Sequence, residues 1–585
     1  MTRPEIISRL TRAWRRGFIS TRYPPNYFLL LTGFVIAVSA AAMFRWATTP
    51  WSTLPDNDYW GNIIGLITAN GVSLNLESLF RHNNEHLVVI PKLIYAVNYW
   101  LLSGSNTGLI IYSLVLGAVC CVLLFALAQE LFHDTPLRLA LCAVLFPLAM
   151  FSNKLTHSYF LGMSGTIWLT ANLFVILSSA ALVKAIADRQ PAYLFASLLA
   201  ALLGVLSYST AIYSLAVLLV CCVCLLLLPR TRGPISVTVV IGIAVTAVLV
   251  LTLLLHYRGR PSHHPAWQYN PVELGHFVLI YLGSALADRM RALFGLALLV
   301  AGLTSIFWLK AQGQAKNVLL WTILFFYAPF NALMTGIGRL GFGGEVAASS
   351  RYQSVTAISL IATIVLVLAA LPKGVTSRHL AVVRGTLIIA LMVMAVALAT
   401  HSTPPRNVLQ NEAKLIAEVA LRQGLEGKQH LPRGLTEPML PMLRAAHHAP
   451  FHWQTNCEKH LYRRVADPNG RSVGAIETMQ VFDKANGEGR AIELSGFAER
   501  DGVTAECIAI VDGSAIVIGS GVSVSRRQDI ENRKGHWRVR IGWKAVAEMP
   551  RVMPVCALAL FDNAAKWVQL SNCQTSLGGS NPTGR

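Results

Sequence analysis

Eleven apolar runs dominate the chain, at about 27–46, 108–128, 137–151, 164–183, 193–210, 211–228, 235–256, 291–309, 318–336, 354–371 and 382–400. Each is long enough, or nearly so, for a helix across a ~30 Å hydrocarbon core, which takes about 20 residues. Composition agrees. Of 585 residues, 54% are hydrophobic and 13% charged, about half the charge of an ordinary globular chain. Too few polar side chains remain to cover a water-facing surface. A disordered, collagenous or wholly cytosolic protein is excluded, and a polytopic α-helical membrane protein with about 11 crossings is expected. The 49 Lys+Arg against 29 Asp+Glu gather at the borders of the runs, so the positive charge reads as topology and not as a nucleic-acid surface.

Segment 1–26 holds Arg3, Arg9, Arg12, Arg15, Arg16 and Arg22 against Glu5 alone, which sets it in the cytoplasm. The run after it exceeds the ~7–15 residues of a signal-peptide core, so an uncleaved anchor is expected. Loops on the same side carry Lys184 and Arg189, Arg230 and Arg232, Lys310 and Lys316, then Lys373 and Arg378. An odd number of crossings over 27–400 places everything after about 401 outside. Stretches 87–103, with Lys92 and Asn98, and 276–288, too short to span, read as interfacial or re-entrant.

The outside tail divides in two. Residues 401–485 read as a helical linker: Val408, Leu415, Ile416, Val419 and Leu421 mark an apolar face within 406–447, and Pro432 and Pro438 interrupt it. From 486 to 585 the periodicity becomes strand-like at Ala491–Phe497, Glu506–Val511, His536–Trp543 and Val555–Phe561. Short strands between turn residues predict a small antiparallel sandwich. Six cysteines lie in the apolar runs, whereas Cys457, Cys507, Cys556 and Cys573 all lie in the tail. Four cysteines without paired CxxC spacing favour two disulfides in an oxidising compartment over a zinc site, with three pairings open.

The first outside loop, 47–107, is long for a chain with otherwise short connections, and such loops tend to be functional. Ile63, Ile64, Ile67, Val72, Leu74 and Leu76 suggest an amphipathic piece on the membrane surface. Asp56 and Asp58 stand just beyond the first run, where a carboxylate can accept a proton from a hydroxyl; Pro-Asp-Asn-Asp is also plain turn chemistry. His82, Asn83, Asn84, Glu85 and His86 spell H-x-x-E-H, a zinc-peptidase pattern. Two asparagines and Pro91 point instead to a helix N-cap with Glu85 turned toward a cavity. Cations on the same side are Lys154 and His157, then Arg258, Arg260, His263 and His264, and finally Arg339 in a glycine-rich loop that ends at Ser349-Ser350-Arg351-Tyr352. Interface anchoring accounts for Arg258 and Arg260, whereas the fork of Arg351 suits a phosphate.

Asp56-Asn57-Asp58-Tyr59-Trp60 directly after the first run, the long first outside loop, and the 11-helix layout with an outside tail together resemble a membrane glycosyltransferase of the GT-C fold. Asn84-Glu85-His86 followed by Lys92-Leu93, with Ser350-Arg351-Tyr352, resembles a bacterial branch that includes pilin and cell-wall arabinosyltransferases. The layout covers most of the chain; the motifs cover a few dozen residues. The resemblance implies a multi-pass protein of the bacterial cytoplasmic (inner) membrane with a periplasmic tail. Such a protein takes a sugar from a polyprenyl-phosphate donor and passes it to a glycan or protein acceptor, a pilin or a cell-envelope polysaccharide among them. It implies Asp58 first, or else Asp56, as the base, with the choice left open by Asn57, and Glu85 as a further catalytic residue that shapes the acceptor side with His86, His82 and His157. Arg351, Tyr352, Arg339 and Lys154 would meet the donor phosphate. No cofactor or metal is required, although a divalent cation is compatible.

A lipid-linked sugar transporter or flippase is the main rival outside enzymes, and its class usually carries ionisable groups near the midplane. Here the runs are nearly free of charge. A polysaccharide ligase or polymerase is a nearer rival, expected to carry its large loop between late helices. A metallopeptidase built on 82–86 is the weakest reading.

Overall fold

The structure, a computed structural model, describes residues 26–48, 52–55, 58–68, 71–73, 75–83, 86–227, 239–240, 242–247, 250, 270–286, 290–371, 405–432, 435–449, 451, 473–487, 489–500, 503–514, 516–523, 542–561, 567–570 and 573–576. Two compact units are interleaved along the chain. The first takes residues 1–47, 79–94 and 109–402; the second takes 48–78, 95–108 and 403–585.

In the first unit the apolar runs become helices: α1 (Asn26–Ala47), then α4 (Val89–Leu102), whose residues from Tyr95 belong to the second unit, and α5 (Asn106–Phe132), which joins the first unit from Leu109. They are followed by α6 (Pro136–Met150), α7 (Thr156–Phe160), α8 (Gly162–Asp188), α9 (Pro191–Val205) and α10 (Ile212–Leu227). Then come α11 (Pro271–Gly283), α12 (Arg291–Ala311), α13 (Leu319–Arg339) and α14 (Gln353–Ala370). Among the described residues six helices are long and apolar enough to cross a membrane: 27–47, 106–132, 162–188, 291–311, 319–342 and 350–370. The other five of the eleven expected runs are three shorter helices, α6, α9 and α10, and two runs that fall wholly or largely outside the described residues. Helices α6 and α9 have 15 residues each, bounded by Pro136 and Phe151 and by Pro191 and Leu206, and so are only about 22 Å long. Runs 235–256, in large part, and 382–400 lie outside the described residues. Stretches 87–103 and 276–288 fall largely within α4 and α11, helices too short to join the six.

Helix α14 is the centre of this bundle. It packs on α6, α8, α12 and α13, and 83% of its apolar window is buried, against 17% for α1. Polar clasps fix neighbours where apolar packing alone does not choose a register. Ser178 Oγ of α8 donates to Ser197 O of α9 (3.0 Å), and Ser197 Oγ donates to Ser178 O (2.8 Å). At the α11–α12 crossing Gly283 and Gly295 let the backbones meet; a Cβ on Gly295 would fall 1.9 Å from Leu279 O.

The second unit holds α2 (Tyr59–Ile63), a two-residue hairpin of β1 (Ile67–Thr68) and β2 (Gly71–Val72), and α3 (Leu76–Phe80), whose last residues already belong to the first unit. The expected single amphipathic surface piece is therefore several short elements. Gly71, at φ +110°, and the polar Ser73 and Asn75 deny a continuous helix. Ile63, Leu66 and Ile67 are buried, and Leu76 is exposed.

The tail begins with α15 (Pro405–Gln423) and α16 (Leu440–Ala445), then β3 (Val473–Asp483), β4 (Arg490–Arg500), β5 (Val503–Val511), β6 (Val517–Ser523), β7 (Gly542–Glu548), β8 (Cys556–Phe561) and β9 (Val568–Gln569). Strand begins at 473, ahead of the expected 486, and residues 536–541 lie outside the described residues. The expected sandwich is replaced by one seven-stranded antiparallel half-barrel, ordered β3-β4-β7-β6-β5-β8-β9. The cause is strand β4. It lies beside β3 on one edge, and its other edge pairs with β7 at Ala491–Phe497 and with β5 at Glu499 and Arg500, so one edge is shared by two strands and the sheet curls. Ile492, Leu494, Ile508, Ile510 and Trp543 fill the core. Ile416 and Ala420 of α15 pack on Val546 of β7. Cys556 and Cys573 form a disulfide, and Cys507 is disulfide-bonded as well; Cys457 lies outside the described residues.

Candidate functional site

In the second unit, the segment ahead of the acidic motif is clamped by one carboxylate. Ser52 Oγ (2.9 Å) and Thr53 N (3.0 Å) donate to Glu418 Oε2, and Thr53 Oγ1 (2.8 Å) donates to Oε1. Arg422, one turn along α15, pairs with the same group. Asp58 then opens α2. Its side chain makes no capping bond. Asn62 holds its carbonyl instead, through Asn62 N (3.1 Å) and Nδ2 (2.8 Å). The Asp58 carboxylate is exposed and, among the described residues, has no partner. It is thus not consumed by turn chemistry. Asp56 lies outside the described residues.

The next two motif residues are fully buried. Tyr59 Oη lies 3.1 Å from His448 Nε2, and His448 Nδ1 lies 2.8 Å from Ala449 O. A carbonyl can only accept, so Nδ1 carries the proton and Nε2 accepts from the Tyr59 hydroxyl. Burial, and then neighbouring Tyr99, push that hydroxyl well above its ordinary pKa, so it stays a donor. Tyr95 meets Tyr59 at 5.3 Å, Trp60 meets His448 at 5.3 Å, and Tyr99 stacks on His448 at 5.5 Å.

In the first unit, Lys92 of α4 is 2% exposed. Its Nζ donates to Leu79 O (3.4 Å) and Arg81 O (2.6 Å), pinning the loop that carries His82 and His86. Burial, and then the Arg81 charge, lower Lys92 to about 8. Asn83 and His86 exchange backbone hydrogen bonds at 2.9 and 3.0 Å. Helix begins only at Val89, and the described residues 82, 83 and 86 are not helical. Glu85 lies outside the described residues, among which no group of three or more His, Cys, Asp and Glu could hold a metal ion.

His86 starts a ladder of rings. Its Nδ1 lies 2.8 Å from Ser209 Oγ, and its ring 4.2 Å from Tyr208. Tyr208 meets Trp168 at 4.5 Å, Trp168 meets Tyr352 at 5.7 Å, and Tyr352 stacks on Tyr281 at 5.1 Å. The Arg351 guanidinium lies 5.4 Å over the Tyr352 ring, with Nε donating to Ser349 Oγ at 3.0 Å. The turn Asn153–Leu155, carrying a buried Lys154, packs on the turn Ser350–Tyr352. Four expected residues (His86, Lys154, Arg351 and Tyr352) are thus brought into one neighbourhood. Arg339 ends α13, His157 lies on α7, and His82 is half-buried beside Asn83. Arg258, Arg260, His263 and His264 lie outside the described residues.

His448, Glu418, Trp168 and Tyr208 were not found by sequence reasoning. Trp168 and Tyr208 carry a weak signal: each stands near a Gly or Ser break in an apolar run. His448 and Glu418 carry none, being joined to the motif only by contacts hundreds of residues apart. No family model matches the chain, and no curated protein is similar enough to it to count as a relative.

Proposed function

We propose that the chain is a GT-C-type glycosyltransferase with about eleven crossings, acting on the periplasmic side of a bacterial cytoplasmic membrane. It moves a sugar from a polyprenyl-phosphate donor to a hydroxyl of a glycan or protein acceptor. The observation that carries the reading is the Asp58 carboxylate, exposed and without a partner among the described residues, on a short helix whose Tyr59 hydroxyl and Asn62 amide are both tied. Long apolar helices suit a donor that already lies in a bilayer. Basic residues at the ends of α8 and α12 (Lys184, Arg189, Lys310 and Lys316) suit a cytoplasmic border. Disulfides in the tail suit an oxidising compartment.

The chemistry balances simply. Asp58 takes the proton of the acceptor hydroxyl as its oxygen forms a bond to the anomeric carbon. The bond from that carbon to the phosphate oxygen breaks, and its electron pair leaves with the polyprenyl phosphate. A fixed cation would stabilise the growing negative charge, and the resemblance gives that role to Arg351, whose turn packs on the turn carrying Lys154.

Membranes bearing the protein, supplied with a panel of polyprenyl-phosphate sugars and acceptor, test this. Asp58→Asn should lower transfer by about 100-fold or more, and Arg351→Ala should raise the donor KM with membrane insertion unchanged. Full activity in both Asp58→Asn and Asp56→Asn would remove the assigned chemistry. A lipid-linked sugar that crosses the membrane without being transferred would favour the flippase.

A further inference from the structure

Tyr59 and Trp60 are 0% exposed, yet they lie next to the exposed Asp58 in sequence. What holds them therefore sets where the carboxylate stands. The holding group is His448. Its two ring nitrogens are both committed, Nδ1–H to Ala449 O and Nε2 to the Tyr59 hydroxyl, so it cannot turn without losing one bond. Rings of Trp60 and Tyr99 flank it. The backbone is shaped for this one side chain. Gly104 adopts φ +74°, and a Cβ there would fall 2.1 Å from His448 Nε2. Ala449 N donates to Ser103 O at 2.7 Å, and the Tyr99 hydroxyl donates to Ala446 O. Loop 103–104 and turn 446–449 thus lock the imidazole from both sides.

We propose that His448 is the positioning residue for the Asp58 carboxylate. It acts through Tyr59, whose hydroxyl it anchors, and so fixes the first turn of α2 on which Asp58 stands. The inference rests on the glycosyl-transfer reading, in which Asp58 is the base. The tail then supplies part of the reaction's geometry, and His448 itself touches no substrate. An imidazole suits the role because it can donate at one end and accept at the other across the width of one ring. A glutamine reaches the Nε2 position with an acceptor oxygen but cannot also satisfy Ala449 O, so it restores one bond of two.

The test uses the full chain in detergent or vesicles, with two readouts on wild type, His448→Ala, His448→Gln and Tyr59→Phe. Hydrogen–deuterium exchange over 58–66 should quicken in His448→Ala and Tyr59→Phe, and return toward wild type in His448→Gln. Transfer from the polyprenyl-phosphate sugar should lose about tenfold in kcat for His448→Ala and Tyr59→Phe at an unchanged donor KM. The double variant should lose no more than His448→Ala alone, because the bond that Tyr59→Phe removes is already gone there. Unchanged exchange over 58–66 in His448→Ala overturns the proposal, as does faster exchange with an unchanged kcat. Additive losses in the double variant overturn it too. If the wild type transfers no sugar, the glycosyl-transfer reading falls on its own, and the exchange readout still reports whether His448 holds α2.

Discussion

A lysine buried against backbone carbonyls keeps its hydrogen bonds but loses the hydration of its charge, and Lys92 is such a case. Its folded value of about 8 lies below the ~10.4 of a solvated lysine. Between those limits the unfolded chain binds a proton that the native chain does not, so stability should rise with pH across that window. Below about 8 both forms are protonated and the contribution is flat. Unfolding midpoints of the intact protein from pH 7 to 10 should show the rise in wild type and not in Lys92→Met. Parallel profiles would mean that Lys92 is hydrated in solution. The residue was legible in the sequence as an odd charge in an apolar stretch and as part of the motif Lys92-Leu93. Its task, fixing the loop at 79–81, depends on carbonyls that no periodicity announces.

At the scale of elements, α13 contains a proline, Pro329, which removes one donor from its ladder. Just before it, Ala328 N donates to Ser359 Oγ at 2.9 Å, and Ser359 Oγ donates to Leu324 O at 3.1 Å. A hydroxyl from α14 thus bridges a donor and acceptor that a regular helix would join directly. Ser359→Ala should destabilise the protein by about 1–2 kcal/mol, seen as a lower unfolding midpoint with secondary structure unchanged. An unaltered midpoint would show that the helix simply closes. This scale also divides what could be read from the sequence. Helices over 26–47, 106–132 and 162–188 follow from apolar length, and strand content over 490–511 and 556–561 follows from alternation. The curl of the sheet does not, because it arises from β4 pairing with both β5 and β7. Nor does the seat of Tyr59, whose partner His448 is 389 residues away. Periodicity reports which face is apolar; it does not report which distant side chain meets it.

For the whole molecule the ordering of the units matters, since the acidic motif and the tail belong to one unit while Arg351 and Lys154 belong to the other. Proposed transfer outside the cytoplasmic membrane requires the tail to be outside and the basic ends of α8 and α12 inside. The tail's Cys556–Cys573 bond and the bonded Cys507 favour the first, and Lys310 at the end of α12 favours the second. The two can be read in one experiment. Among the described free cysteines only Cys224 is exposed, so Cys224→Ser gives a quiet background, to which Ala315→Cys adds a thiol in the exposed turn after α12. Cells with a permeabilised outer envelope are reduced, then treated with a membrane-impermeant maleimide. Label should enter the tail at once and reach position 315 only after the inner membrane is opened. Immediate labelling at 315 with a protected tail would invert the protein, placing Asp58 beside nucleotide-linked rather than polyprenyl-linked donors, and the transfer chemistry would have to be assigned afresh.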